Sequence, residues 1–548
     1  MSEKVVVAVN EGKIRGVKEV SKYSNVEYLA FYGIPYAEPF VKSSRFKDPV
    51  KVKPWKNIHD GTKEKPGCSQ LSFLKGHLWG NEDCLFNNVY TQRLPRKDEP
   101  LRPVIVNIHG GAYHTGTPHT KQYGSPALVI HHDIVYICIS YRLHILGFLN
   151  LGLKDCSGNQ GIKDIIMSLH WIKDNVKSFG GDPENITLLG ASSGASTIHL
   201  LMLSPAVEKN LFHKAVLMSG YLMNPIAPYQ ETNEIHAREM AKLLDYEGEL
   251  DDRKKMLNFL KRKTPEQLIN TLLQYEFGTP APKKIAPITA LGVFSPTVDP
   301  LVLPCSPQKL TESMMRIPIM IGFCERESAM GFTRGEIIEQ TRNNFATTFC
   351  QNCWGWGHNL GSDDVEEINR QVELFYTGGT PVLEAPMSLQ IDVQSDICIS
   401  DVYDTLIDVV AAQQPSSVFV YKFEFEGKLK TMKELVSLDE QLPGTYHGSE
   451  YIHWNNFDWD NGYGLRDERT RRMVNTFTKL VTTFAKTGTP NYNDLGIRWE
   501  PSTVDNPCYL IIDEQMKMVK GRLSETRLKF WDEIKKQFKK SNDDSISF

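Results

Sequence analysis

Runs of apolar residues bounded by glycine and proline set the plan of this chain. Pro103 to His109 reads Pro-Val-Ile-Val-Asn-Ile-His, and Asp133 to Tyr141 carries Ile-Val-Tyr-Ile-Cys-Ile-Ser-Tyr after its aspartate. Ile186 to Leu189, Lys214 to Ser219, Ile317 to Phe323, Val418 to Phe425 and Tyr509 to Ile512 repeat the pattern, the last as the final strand. Continuous aliphatic runs, rather than alternating ones, predict strands covered on both faces. Shorter strands are predicted over 4–9, 14–20 and 28–36. Between strands the period changes. Ile162, Ile165, Ile166, Leu169, Ile172 and Val176 fall at helical spacing and predict an amphipathic helix that stops near Phe179-Gly180-Gly181-Asp182-Pro183. A longer helix is predicted over about 467–486, ending at Thr487-Gly488-Thr489-Pro490, and a basic helix closes the chain. Strands alternating with helices indicate an α/β protein with a large, mostly parallel sheet flanked by helices. Two stretches, about 230–315 and 332–415, are helical and lack strong strands. They are expected as insertions covering a site within one domain spanning 1–548, since no repeat or low-complexity linker divides the chain.

Composition narrows the classes. The 548 residues are 41% hydrophobic and 23% charged with net charge −4, an ordinary globular balance and ample length for a large core. No basic stripe calls for nucleic acid. No run reaches membrane-spanning length. The start, Met-Ser-Glu-Lys-Val-Val-Val-Ala-Val, lacks the features of a signal peptide, and the end, Ser-Ile-Ser-Phe, is no lipidation signal, so a cytoplasmic protein is expected. Ten cysteines are too few for a disulfide scaffold. The sequon Asn185-Ile186-Thr187 overlaps a predicted buried strand, which argues against glycosylation.

Chemistry concentrates at Gly190-Ala191-Ser192-Ser193-Gly194, a G-x-S-x-G pattern between the Ile186–Leu189 run and a helix-compatible Thr197 to Leu203. At such an elbow the serine takes a strained backbone conformation and its hydroxyl stands above the sheet edge. A serine hydroxyl is a poor nucleophile unless a base, an orienting acid and oxyanion donors accompany it. His109-Gly110-Gly111-Ala112-Tyr113 at another strand end supplies donors: the N–H groups of Gly111 and Ala112 would join that of Ser193. After the Ile317–Phe323 strand, Glu325 and Glu327 both qualify as the acid. His447, in the loop Pro443-Gly444-Thr445-Tyr446-His447-Gly448, completes the order serine, acid, histidine expected of α/β-hydrolases, with His109, His358 and His453 as competitors.

These motifs, with further stretches, resemble the type-B carboxylesterase/cholinesterase family of α/β-hydrolases. The matching stretches run from Gly33-Ile34-Pro35-Tyr36 through Glu82-Asp83-Cys84-Leu85, Tyr141-Arg142-Leu143, Leu146-Gly147-Phe148-Leu149, Gly158-Asn159-Gln160-Gly161 and Phe179-Gly180-Gly181-Asp182-Pro183 to Phe484-Ala485-Lys486-Thr487-Gly488-Thr489-Pro490-Asn491 and Phe530-Trp531. The absent leader and Phe212-His213-Lys214-Ala215 with Met218-Ser219-Gly220 look most like intracellular insect α-esterases. The resemblance implies the α/β-hydrolase fold and a serine carboxylesterase acting on small-molecule esters without cofactor or metal. It implies Ser192 as nucleophile, Glu327 rather than Glu325 as acid, His447 as base, Gly111, Ala112 and Ser193 as oxyanion donors, Tyr113 and Ile226 as substrate contacts, and a Cys68–Cys84 disulfide. Organophosphates are implied as covalent inhibitors, the role as broad detoxification, and the assembly as a monomer or homodimer.

Departures from the family pattern carry expectations of their own. Ala191 replaces the usual glutamate before the nucleophile, so one buried carboxylate is expected to be missing. Ser193 stands for the usual alanine and Ser328 for the usual glycine. Asn224-Pro225-Ile226-Ala227 has isoleucine where tryptophan is usual, which implies a wider acyl pocket. No tryptophan lies at the choline-binding spacing from Cys84, although Trp79 is near, which argues against a cationic substrate. Cys350-Gln351-Asn352-Cys353 lacks the second ligand pair of a metal site. The cluster Arg466, Arg469, Arg471 and Arg472 reads as the wet face of a helix. The rival readings are an esterase dedicated to one hormone or pheromone, and a non-catalytic binding protein, against which the complete triad argues.

Overall fold

The fold is that of a computed structural model, which describes residues 4–71, 77–222, 232–277, 293–327, 361–396, 401–414, 417–429, 444–455, 464–523 and 525–538. A twisted sheet of 13 strands runs through the described residues. Seven adjacent strands, in spatial order Val135–Ile139, Arg102–Ile108, Gly181–Ala191, Lys214–Met218, Ile319–Cys324, Val418–Phe423 and Cys508–Ile512, pair in parallel. Antiparallel strands extend both edges: Lys4–Val9, Gly12–Val20, Glu27–Pro35 and Phe86–Thr91 on one side, Lys517–Lys520 on the other.

The twofold alternation of strand side chains divides the core into two layers. Val104, Val106, Ile108, Ile186 and Leu188 pack on one face with Ile162, Ile165, Leu169 and Ile172 of the helix Gln160–Asn175 and with Ile198 and Leu201 of Ser193–Leu203. Ile105, Leu189, Val216 and Met320 pack on the other with Val474, Phe477, Leu480 and Val481 of Glu468–Thr487, a helix whose first turn is capped by Asp467 accepting from Thr470 N–H. Burial on both faces is why the parallel strands read as unbroken apolar runs. Arg142 and Asp164, both fully buried, form a two-armed pair, Nε to Oδ2 at 2.7 Å and Nη2 to Oδ1 at 2.6 Å, tying the 142–148 segment to the Gln160–Asn175 helix.

The structure extends the sequence reading in three places and corrects the strand expected to be last. Phe86–Thr91 is a sheet strand that the apolar pattern did not announce, and Lys517–Lys520 follows the strand expected to be last. The helix-compatible run Thr197 to Leu203 lies in a helix that begins at Ser193, where the chain turns directly out of the Gly181–Ala191 strand. Within 230–315 the described residues form helices Glu234–Leu243, Arg253–Arg262 and Pro265–Phe277, and within 332–415 they form Ser362–Thr377, Met387–Ser395 and Asp401–Gln413. Among the described residues no helix is long and apolar enough to cross a membrane.

Candidate active site

Ser192 sits between strand and helix with φ 57° and ψ −130°, a conformation that costs a non-glycine residue about 1–3 kcal/mol. The turn is held by the sheet: Ser192 N–H donates to Met218 O at 2.9 Å. Gly194 lets the new helix start against the neighbouring strand, since a Cβ there would lie 2.2 Å from Ile108 O. The hydroxyl of half-buried Ser192 makes no hydrogen bond to a described residue.

Gly111, Ala112 and Tyr113 follow one another with φ of 114°, 54° and 63°. Only glycine fits at 111, where a Cβ would meet Thr115 O at 2.2 Å. Successive left-handed residues gather their N–H groups on one side. The N–H groups of Gly111, Ala112 and Ser193 donate to no described residue, whereas Tyr113 N–H donates to Ser193 Oγ at 3.3 Å. The Tyr113 ring is fully buried edge-on to Phe148, so it props the loop from beneath.

Glu327 lies three residues beyond the Ile319–Cys324 strand. Its Oε1 accepts from Cys324 N–H at 2.7 Å and its Oε2 from His447 Nδ1 at 2.6 Å. Both side chains are largely enclosed, Glu327 2% and His447 11% exposed. Burial pulls the His447 pKa down, but the charge and hydrogen bond of Glu327, with Glu450 behind it, outweigh that and leave it raised. The competitors are placed differently. Glu325 is exposed, with its N–H on Thr445 Oγ1. His109 and His453 are buried against the carbonyls of Gly110 and Ser449, and desolvation pushes both down to about 4. His358 lies outside the described residues. The sheet brings Ser192 and Glu327 to one edge, since Ala191 pairs with Met218, Met218 with Gly322, and Ser219 N–H donates to Gly322 O at 2.8 Å.

Sequence reasoning missed a second buried acid. Glu450, from the helix Ser449–Trp454, accepts from Ser219 Oγ and, at 2.6 Å, from Cys324 Sγ. Burial, then the charge of Glu327, pushes its pKa up to about 7. Ala191 does deprive the elbow of a carboxylate, yet a buried carboxylate reaches the acid from another element. Cys324, Glu327 and Glu450 are the one group among the described residues whose donor atoms, all within 4.8 Å of one another, could hold a metal. Their polar atoms are hydrogen-bonded among themselves and to Ser219 and His447. No single-residue signal marks Glu450 except its place three residues after His447.

The model of the carboxylesterase family matches residues 3–531. This chain belongs to the carboxylesterase family. It is accordingly a carboxylic ester hydrolase. The esterase is 29% identical to esterase E4 of Myzus persicae, the match covering 90% of this chain and 88% of that protein. It is 29% identical to carboxylesterase 1D of Mus musculus, with 97% and 93% covered. Among solved structures it superposes on juvenile hormone esterase from Manduca sexta, determined with OTFP covalently attached, with TM-score 0.81 and 27% identity over 97% of this chain and all of that one.

The remaining expected features of the esterase are also placed. Cys68 and Cys84 are joined in a disulfide, both buried. Trp79 packs edge-on against His119. In the arginine cluster Arg469 pairs with Glu514 and Arg472 with Glu468, all exposed, as a wet helix face requires. Ile226 with its neighbours, Ser328, and the Cys350–Cys353 pair lie outside the described residues.

Proposed function

We propose that this esterase works through an acyl-enzyme on Ser192. The observation that carries the reading is the His447 Nδ1 to Glu327 Oε2 hydrogen bond of 2.6 Å. It commits Nδ1 as donor, so in neutral His447 the other nitrogen, Nε2, is the free base. Nε2 takes the proton as Ser192 Oγ attacks the ester carbonyl, and Glu327 stabilises the imidazolium that forms. The tetrahedral oxyanion is received by the N–H groups of Gly111, Ala112 and Ser193, each worth about 3 kcal/mol. His447 then protonates the departing alcohol, and water repeats the cycle on the acyl-serine. A neighbour of the same fold carrying a covalently attached ligand supports this course. Treatment with a fluorophosphonate followed by peptide mapping tests it. A stoichiometric adduct on Ser192 is expected, and folded protein that stays unlabelled points to a binding role instead.

The substrates on this reading are small-molecule carboxylic esters of broad range, including xenobiotics, with organophosphates trapped as phosphoryl adducts. The family resemblance and the replacement of an indole by Ile226 support breadth in the acyl group. The second reading, an esterase dedicated to one hormone ester, is favoured by the fit to a juvenile hormone esterase structure. A panel of acyl and alcohol lengths separates them, because a dedicated enzyme shows one dominant kcat/KM. Cytoplasmic residence is part of the proposal, and burial of Cys68 and Cys84 is compatible with a bond shielded from soluble thiols.

A further inference from the structure

His114 comes immediately after the three left-handed residues of the donor loop, and its ring is 6% exposed. Nδ1 lies 3.0 Å from Ala112 O and Nε2 lies 2.8 Å from Glu276 Oε1. A carbonyl can only accept, so Nδ1 carries a hydrogen. Glu276, 1% exposed, belongs to the helix Pro265–Phe277 in the first of the two helical stretches. Burial pulls the His114 pKa down, and the charge and hydrogen bond of Glu276, with the Ala112 carbonyl, outweigh it. The other ring nearby, His144, has its centroid 6.5 Å away, and burial holds it down at about 3, hence neutral. His236, also within the field of Glu276, is lowered by burial.

The contact matters because of what it does to one peptide plane. The Ala112–Tyr113 peptide has its carbonyl on His114 Nδ1 and its N–H on Ser193 Oγ. A peptide is rigid, so pinning both ends fixes ψ of Ala112 and φ of Tyr113. The neighbouring carbonyls are tied as well: Gly111 O accepts from His114 and Thr115 N–H at 3.0 and 3.1 Å, and Tyr113 O from His144 N–H at 2.7 Å. With the carbonyls of Gly111, Ala112 and Tyr113 held, the peptide planes that carry the loop's N–H groups are held with them.

We infer that His114, clamped by Glu276, is a positioning residue that sets the Ala112–Tyr113 peptide so that the loop's N–H groups meet the ester oxygen above Ser192. The inference rests on reading Gly111, Ala112 and Ser193 as oxyanion donors. It links an inserted helix to the reacting centre through a single imidazole.

The test measures kcat and KM for the full chain and for His114→Phe, His114→Asn and Glu276→Gln per active site counted by fluorophosphonate titration, and for Ser192→Ala per mole of folded protein. Phenylalanine fills the space without a donor, whereas the Asn amide nitrogen occupies the place of Nδ1. His114→Phe is expected to lower kcat per titrated site about 100-fold with KM within about threefold, the size expected of a misplaced reacting group. His114→Asn should recover to within about fivefold of the parent, and Glu276→Gln should fall between. A His114→Phe variant within twofold of the parent per site overturns the inference, as does an Asn variant no better than Phe. Ser192→Ala separates the two readings. If it is inactive while the His114 variants are normal, only the positioning role falls; if it stays active, the serine mechanism falls and this inference with it.

Discussion

Ser192 is held in a strained conformation at no visible structural benefit, and strain of that kind persists where surrounding structure over-determines it. Here the determinants are Met218 O beneath the serine and Gly194 packed on Ile108 O. The acid and base carry a pH prediction. Glu327 raises the His447 pKa against the pull of burial, so the acid limb of kcat/KM should stand above the ordinary imidazole range. Glu327→Gln removes the raising charge and leaves the burial, so the limb moves to lower pH while kcat/KM drops about 10⁴-fold. A pH–rate series on both proteins checks this, and an unmoved limb contradicts it. Much of this was legible residue by residue. G-x-S-x-G, the glycine loop and chain order pointed to Ser192, Gly111, Ala112 and His447, and family resemblance chose Glu327 over Glu325. The contacts of Glu450, Ser219, Cys324, His114 and Glu276 were not legible, because each has a partner distant in the chain, Cys324 and Glu450 being 126 residues apart.

Elements were readable where burial imposes a period. Ile162, Ile165, Leu169 and Ile172 are all fully buried, and the helix they announced is present as Gln160–Asn175. Phe86–Thr91 escaped because two of its buried residues are asparagines that serve as connectors. Asn88 accepts from Gly33 N–H and donates to Pro118 O, and Asn87 accepts from Ser168 Oγ. A strand whose buried asparagines hydrogen-bond to neighbouring elements loses its hydrophobic signature without losing its place in the sheet. Lys517–Lys520 escaped as a short, lysine-bounded edge strand, a usual guard against edge pairing. The buried Arg142–Asp164 pair gives this scale its prediction. Asp164→Asn strands a buried guanidinium and should destabilise the protein by about 3–5 kcal/mol in urea unfolding, while Arg142→Met with Asp164→Leu should recover most of the loss. A single variant as stable as the parent would show that the pair does not anchor the helix.

At the scale of the whole molecule, a parallel sheet ends its strands along one edge, and that edge gathers residues that the chain keeps far apart. The His447–Glu327 contact spans 120 residues, among them the helices Ser362–Thr377, Met387–Ser395 and Asp401–Gln413 and the strand Val418–Phe423, a separation that no local pattern closes. The proposed breadth in the acyl group turns on Ile226, 34 residues beyond Ser192 in the chain. Ile226→Trp should cut kcat/KM on branched-acyl esters about tenfold more than on acetates, a steric difference of about 1.4 kcal/mol. Equal losses would remove Ile226 from the acyl pocket.

A covalent intermediate on one serine can be caught by rapid mixing with a chromogenic ester of a slowly hydrolysed acid, followed by acid quench and peptide mass mapping. A burst of one alcohol per titrated site is expected, with the acyl mass on the peptide containing Ser192, both absent in Ser192→Ala. Steady alcohol release without a burst, together with no acylated peptide, would contradict it.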